Sequence, residues 1–196
     1  LGASGEEAVE DLINFDITPS VFTYEFAKAL SYEAERKEKV TKIHIKIDTG
    51  MSRIGFLAGE NNEEIVDEII KISKLPYIEI EGIFSHFATS DEYDKSYTLL
   101  QYGRFMDVCN RLEEKGLNIP IKHICNSAGI MMYPEMHLDM VRPGVILYGM
   151  YPSDEVDKSR LDLIPAMTLK STITHIKEVE PGRGVSYGKE YITDKK

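Results

Sequence analysis

An α/β fold on a parallel sheet, closer to a (β/α)8 TIM-type barrel than to a doubly wound sheet, is what these 196 residues predict. Three observations predict it. Through about residue 150, stretches that read as strands alternate with stretches that read as helices, with no change of style. Residues able to do chemistry (Arg53, His86, Asn126, Ser127, Arg142 and Gly144) fall at or just past the strand ends, where such barrels place their sites. After Tyr151 the style changes to a polar connector and then a Thr-, Ile-, Val- and Tyr-rich stretch. The expected organisation is a partial barrel of about five of eight βα units over 1–160, then the start of a mostly-β domain over 161–196.

The elements follow in order. Ile17–Phe22 (ITPSVF) reads as a short strand, and the Ala- and Glu-rich stretch from Thr23 to Glu38 as a helix. Lys42–Asp48 (KIHIKID) alternates strictly, so Ile43, Ile45 and Ile47 share one face. Lys46 and Asp48 then need an explanation in a strand of a buried sheet. Asn61-Asn62-Glu63-Glu64 supplies caps and first-turn acids, and Ile65, Val66, Ile69, Ile70 and Ile72 recur at helical spacing before Pro76 ends the helix. Tyr77–His86 is the third strand. Asp94 to Lys115 is the longest helix, with Phe105, Val108, Cys109 and Leu112 inward and Gly116 in the C-terminal glycine position. Ile121–Ser127 is the fourth strand, Ala128–Met132 a short helix, and His137–Tyr148 the fifth strand. Ala166 to Tyr191, with Pro181-Gly182 as a turn, reads as antiparallel β.

A net charge of -10 argues against sequence-independent nucleic-acid binding, which needs a basic face. No apolar run is long enough to span a bilayer. The start, LGASGEEAVEDL, lacks the basic and apolar regions of a signal peptide. A chain that opens on Leu1 and stops at EYITDKK reads as a piece of something longer. Cys109 and Cys125 allow one disulfide, but two distant cysteines fit a reduced, cytoplasmic protein better.

Each candidate residue has a plain reading beside the chemical one. Arg53 is a surface arginine, or an anion partner delivered by the Thr-Gly-Met-Ser loop. Arg142, inside the apolar run VRPGVILY, needs partners if buried. Ser127, with Asn126 before it, is an N-cap or a phosphate ligand; Gly144 and Val145 are a second place for close phosphate approach. His86 is a general base, a metal ligand or a structural histidine. The five histidines show no HxxxH or HExxH spacing, so no metal is expected. Tyr187 is a cross-strand aromatic or an acid–base group.

Six stretches, in order, carry a resemblance to the alanine racemases, fold type III pyridoxal-phosphate enzymes: KIDTGMSRIGF (46–56), GIFSHFATSDE (82–92), HICNSAG (123–129), VRPGVILYGMYP (141–152), AMTLKSTI (166–173) and IKEVEPGRGVSYGKEY (176–191). The resemblance covers nearly the whole chain, and DTGMSRIGF with VSYG is specific. It implies pyridoxal 5'-phosphate as cofactor, alanine as substrate, a homodimer with shared active sites, and D-alanine supply for peptidoglycan. It implies that Arg53 donates to the cofactor's phenolic oxygen, that Arg142 faces its pyridine nitrogen, and that His86 supports Arg142. Ser127, Asn126, Gly144 and Val145 would hold the phosphate. Lys46 matches a lysine that is carbamylated in many members, and its carbamate would fix Arg53. Tyr187 matches one of two bases, acting in the other subunit's site.

The other base, a lysine in a KAxAYGHG-type motif, has no counterpart here. The isolated chain is therefore expected not to racemise alanine. Two alternatives stay open: a serine or broad-specificity amino-acid racemase of the same fold, and a non-catalytic pyridoxal-phosphate-binding barrel.

Overall fold

A computed structural model of the chain describes residues 2–195. Its contacts divide them into two units, one through Ala166 and one from Met167. In the first unit, helix α1 (Val9–Asn14) precedes strand β1 (Ser20–Val21), and α2 (Tyr24–Arg36) leads to β2 (Thr41–Asp48). Strand β3 (Phe56–Leu57) and α3 (Glu63–Ile72) come next, followed by β4 (Ile78–Phe84) and α4 (Ser96–Glu114). Strand β5 (Ile121–His123) and α5 (Ser127–Met132) complete the series. The sheet runs β1-β2-β4-β5 with all pairs parallel, and β3 adds to the end of β2. This is the arc of an α/β barrel.

The alternation of β2 decides the layering. Ile43, Ile45 and Ile47 are fully buried in a core that also takes Ala27 and Leu30 from α2, Val66, Ile69 and Ile72 from α3, and Phe105, Val108 and Leu112 from α4. Each such isoleucine contributes about 1.5–3 kcal/mol. Thr23 caps α2 by accepting from the Phe26 N–H at 3.3 Å. Gly116, at φ +85, ends α4 in the left-handed region. Cys109 and Cys125 are buried free thiols, and Cys109 packs in the core.

Several expected elements are shorter or absent. Strand β1 keeps only two residues, and β5 stops at His123, so residues 124–126 are an irregular link to α5. Asn126, not Ser127, caps α5: its Oδ1 accepts from the Gly129 N–H at 2.9 Å. The Asn61 carboxamide accepts from Glu63 N–H, whereas Asn62 accepts from Gly59 N–H instead of capping α3. No strand forms over His137–Tyr148. The segment's backbone bonds to the β5 region are widely spaced, Asp139 N–H to Lys122 O and Arg142 N–H to Cys125 O, and Pro143 has no N–H to extend a ladder. A 3-10 turn covers Val145–Tyr148.

In the second unit the described residues hold one antiparallel hairpin, β6 (Gly184–Val185) with β7 (Tyr191–Ile192), around a turn at Tyr187–Lys189. The antiparallel β expected from Ala166 onward is otherwise not formed. Leu169, Ile173 and Ile176 are exposed, with no paired strand to cover them. Among the described residues no helix is long and apolar enough to cross a membrane.

Candidate active site

The C-terminal ends of β2, β4 and β5 carry three loops, and one helix ties two of them together. Asp48 closes the loop after β2: Oδ1 accepts from Gly50 N–H at 2.9 Å and Ser52 N–H at 3.0 Å, and Oδ2 from Arg53 N–H at 3.1 Å. Gly50 at φ +139 and Ser52 at φ +56 make the tight bend that those bonds require. So Asp48 builds the loop, and Arg53 emerges from it with an exposed side chain. From α4, Gln101 accepts from Ala88 N–H at 2.8 Å and donates to Thr49 Oγ1 at 3.2 Å and His86 O at 3.1 Å. Tyr97 donates to Gly50 O at 2.7 Å, and Arg104 donates to Thr49 O at 3.1 Å. Thr49 and Ser85 hydroxyls meet at 2.8 Å. The loop bearing Arg53 and the loop bearing His86 are therefore fastened to the same helix.

Arg142 lies over the third loop. Its Nη1 donates to His123 Nδ1; its Nη2 donates to Ser85 O at 2.7 Å, to Ile124 O at 3.3 Å and to His86 Nδ1 at 3.3 Å. All four acceptors are neutral, and among the described residues no carboxylate pairs with Arg142. Burial lowers its pKa to about 10, so it remains a cation at neutral pH. Burial, and then the Arg142 charge, hold His86 down to about 4 and His123 down to about 3. Both are therefore neutral acceptors. The His123 ring stacks on Phe84 at 4.8 Å between centroids.

Lys46 is buried on the same face of the sheet. Its Nζ donates to Ile47 O at 2.7 Å and lies 5.3 Å from the centre of the Phe84 ring. Burial pushes its pKa down to about 8; Asp48 opposes the shift, and Arg142 and Arg53 add to it. The Ser127 hydroxyl accepts from Gly144 N–H at 2.8 Å, bringing α5 and the segment after Arg142 together. Asn126 also accepts from Ser90 Oγ at 2.8 Å, joining this loop to the one after β4.

Lys46, Arg53, His86, Asn126, Ser127, Arg142, Gly144 and Val145 thus lie on the strand ends of one unit or the loops beside them. Tyr187 belongs to the other unit, where it is fully exposed. Sequence reasoning passed over His123, His44, Glu81 and Gln101. The signal for His44 was its place on β2 opposite the isoleucine face; His123, two residues from Ile121 and so on the same face of β5, gave none. Gln101 gave none, because its partners lie on remote loops. Among the described residues no His, Cys, Asp and Glu group could hold a metal.

The resident group implied by the resemblance can be tested against these side chains. His86, Asn126, Ser127, Arg142, Gly144 and Val145 line a cleft of about 420 Å³, to which Asp91 also contributes. Arg142 Nε is buried there with no partner. Ser127, already accepting from Gly144, keeps its O–H to donate. Uncommitted donors on a retained cation and a hydroxyl fit a phosphorylated heterocycle with a ring acceptor.

A family model described as alanine racemase, N-terminal domain, matches residues 1–152. The chain is 53% identical over 195 residues to alanine racemase of Clostridium tetani, covering 100% of this chain and 50% of that protein. Its structure is similar to alanine racemase from Clostridium difficile 630, with a TM-score of 0.90 at 50% identity over 100% of this chain and 50% of that one. It is also similar to histidine racemase from Leuconostoc mesenteroides subsp. sake, with a TM-score of 0.84 at 28% identity over 100% of this chain and 51% of that one. The chain spans about half the length of the curated relatives it matches. With the parallel arc, the loop built by Asp48 and the Arg142 cluster in place, the chain belongs to the alanine racemase N-terminal domain family.

Proposed function

We propose that this chain supplies the cofactor-facing arc of a pyridoxal-phosphate-dependent alanine racemase, which interconverts L- and D-alanine. The observation that carries the reading is Arg142, a cation held by neutral acceptors alone beside the Ser127–Gly144 pair. When bound, pyridoxal phosphate withdraws electrons from the substrate's α-carbon and makes its proton removable. Arg142 offers the ring nitrogen a hydrogen bond and keeps its own proton. His86 supports Arg142, and Arg53 donates towards the phenolic oxygen. Ser127, Asn126, Gly144 and Val145 take the phosphate end.

Lys46 is carbamylated in this reading. Its lowered pKa leaves more neutral amine to attack CO2; an N–C bond forms, one proton leaves, and the anionic product pairs with Arg53. Tyr187 is one base, taking or returning the α-proton on one face, with a lysine outside these residues on the other. A base offered to the other subunit of a homodimer has to be exposed on its own unit, as Tyr187 is. D-alanine for peptidoglycan, made in the cytoplasm, is the purpose.

A second reading, racemisation of another amino acid, is favoured by the likeness to a histidine racemase. The test is the full-length protein with pyridoxal phosphate, given L-alanine, L-serine or L-histidine, with each D-enantiomer measured. Fastest formation of D-alanine supports the first reading, and fastest turnover of another substrate the second. No D-enantiomer from any of them would sink both. Tyr187→Phe is expected to slow alanine racemisation about 100-fold or more while the cofactor's absorbance stays. The 196 residues alone are expected to make no D-alanine.

A further inference from the structure

The row of polar side chains does not end at His123. Its Nε2 faces His44 Nδ1 at 2.8 Å, and His44 Nε2 faces Glu81 Oε2 at 3.4 Å. Glu81 in turn accepts from Lys42 Nζ at 2.7 Å. Four elements, the Arg142 segment, β5, β2 and β4, each add one member. The row runs from the C-terminal strand ends back along the sheet.

The ends of the row dictate its direction. An arginine can only donate, and a carboxylate can only accept. Arg142 therefore needs His123 Nδ1 bare, which places the His123 proton on Nε2. That proton is donated to His44 Nδ1, which places the His44 proton on Nε2, facing Glu81. Read from the other end, the requirement is the same, because Glu81 is kept anionic by Lys42. Burial keeps both histidines neutral, against the pull of Glu81 on His44 and with Arg142 opposing charge on each; Lys46 adds to this at His123. The ring planes are held as well. His123 stacks on Phe84, which meets His44 edge-on, and a Cβ at Gly82 would come within 2.5 Å of the His44 ring. The site gains an oriented arginine whose charge no adjacent carboxylate cancels.

We infer that His44 and Glu81 are positioning residues for Arg142, through a one-way hydrogen-bond row Arg142–His123–His44–Glu81. Its bearing on catalysis rests on the reading that Arg142 faces the cofactor; the row itself does not, so it is tested without cofactor or turnover. The measurement is nitrogen-15 NMR of the histidine rings and the Arg142 guanidinium. In the wild-type protein both histidines are expected to carry their proton on Nε2, with scalar coupling across the His123–His44 hydrogen bond and two separate Arg142 Nη signals. Glu81→Gln, whose amide oxygen still accepts, is expected to keep this pattern. Glu81→Lys puts a donor at the accepting end; there the coupling is expected to vanish and the Nη signals to merge, while the amide signals of Ile43, Ile45 and Ile47 stay in place. A wild-type histidine protonated on Nδ1 overturns the inference, and so does an unchanged Arg142 pattern in Glu81→Lys.

Discussion

The two faces of β2 are made from alternate residues of one eight-residue strand and behave as different materials. One face is Ile43, Ile45 and Ile47, packed against the helices. The other is Lys42, His44, Lys46 and Asp48, each with a hydrogen-bonding partner. The first face gains its stability from area removed from water, without regard to direction. The second depends on direction, and at Lys46 it holds a group that would be better hydrated. Stability and chemistry are thus separated by a single peptide step, and substitutions on the two faces should have opposite signatures.

The largest effect is expected on the apolar face. Ile45→Ala should cost about 2–5 kcal/mol in chemical denaturation, with the histidine tautomers of the folded fraction unchanged. Acidification should act on the polar side of the sheet, through His123 on β5 and His86 after β4, and spare the isoleucine face. His123 and His86 have pKa values of about 3 and about 4 in the fold, against 6.5 ordinarily. The unfolded chain therefore takes up protons first. The histidines' contribution to stability should be complete above about pH 6.5 and be lost as the pH drops towards 4 and then 3. Replacing His123 by Gln should remove its share of that slope in denaturation curves taken between pH 7 and pH 4, whereas Ile45→Ala should leave the slope as it is.

Gly82→Ala should cost about 1–3 kcal/mol, because the new methyl enters the space of the His44 ring, and the His44 ring signals should move. The smallest change should have the opposite sign. In protein freed of CO2, where Lys46 is an unmodified amine, Lys46→Met should stabilise the fold by about 1 kcal/mol at pH 7, since it removes a charge that burial disfavours. With a pKa near 8 in the fold and 10.5 ordinarily, the wild-type lysine is penalised most below pH 8. The advantage of the methionine should therefore shrink as the pH rises from 8 to 10.5. A destabilised Lys46→Met protein at pH 7 would break the contrast between the faces.

The apolar face was legible because its information is periodic. KIHIKID states its own layering, and the stripe of α4 does the same. The site loops were legible in part, since DTGMSR announces a bend that ends in an arginine. What stayed hidden depends on groups far apart in sequence. His44 and His123 are separated by 79 residues, and neither has a neighbour that announces the other. Over His137–Tyr148 composition misled, because β-branched residues fit a strand but Pro143 and the widely spaced contacts with β5 do not. In Ala166 to Val179 the apolar residues are present and the partner strand is not, so propensity alone formed nothing.

Gln101 fastens the loop after β2 and the loop after β4 to one helix, and the loop after β2 is also held there by Tyr97 and Arg104. Kinetically, that makes the two loops one object. An opening that frees His86 has to break the amide bridge that also restrains Thr49, so the two motions are coupled. The amide hydrogens of Ser52, Arg53 and Ala88 should then exchange with solvent deuterium at one common rate, and Gln101→Leu should split that rate in two.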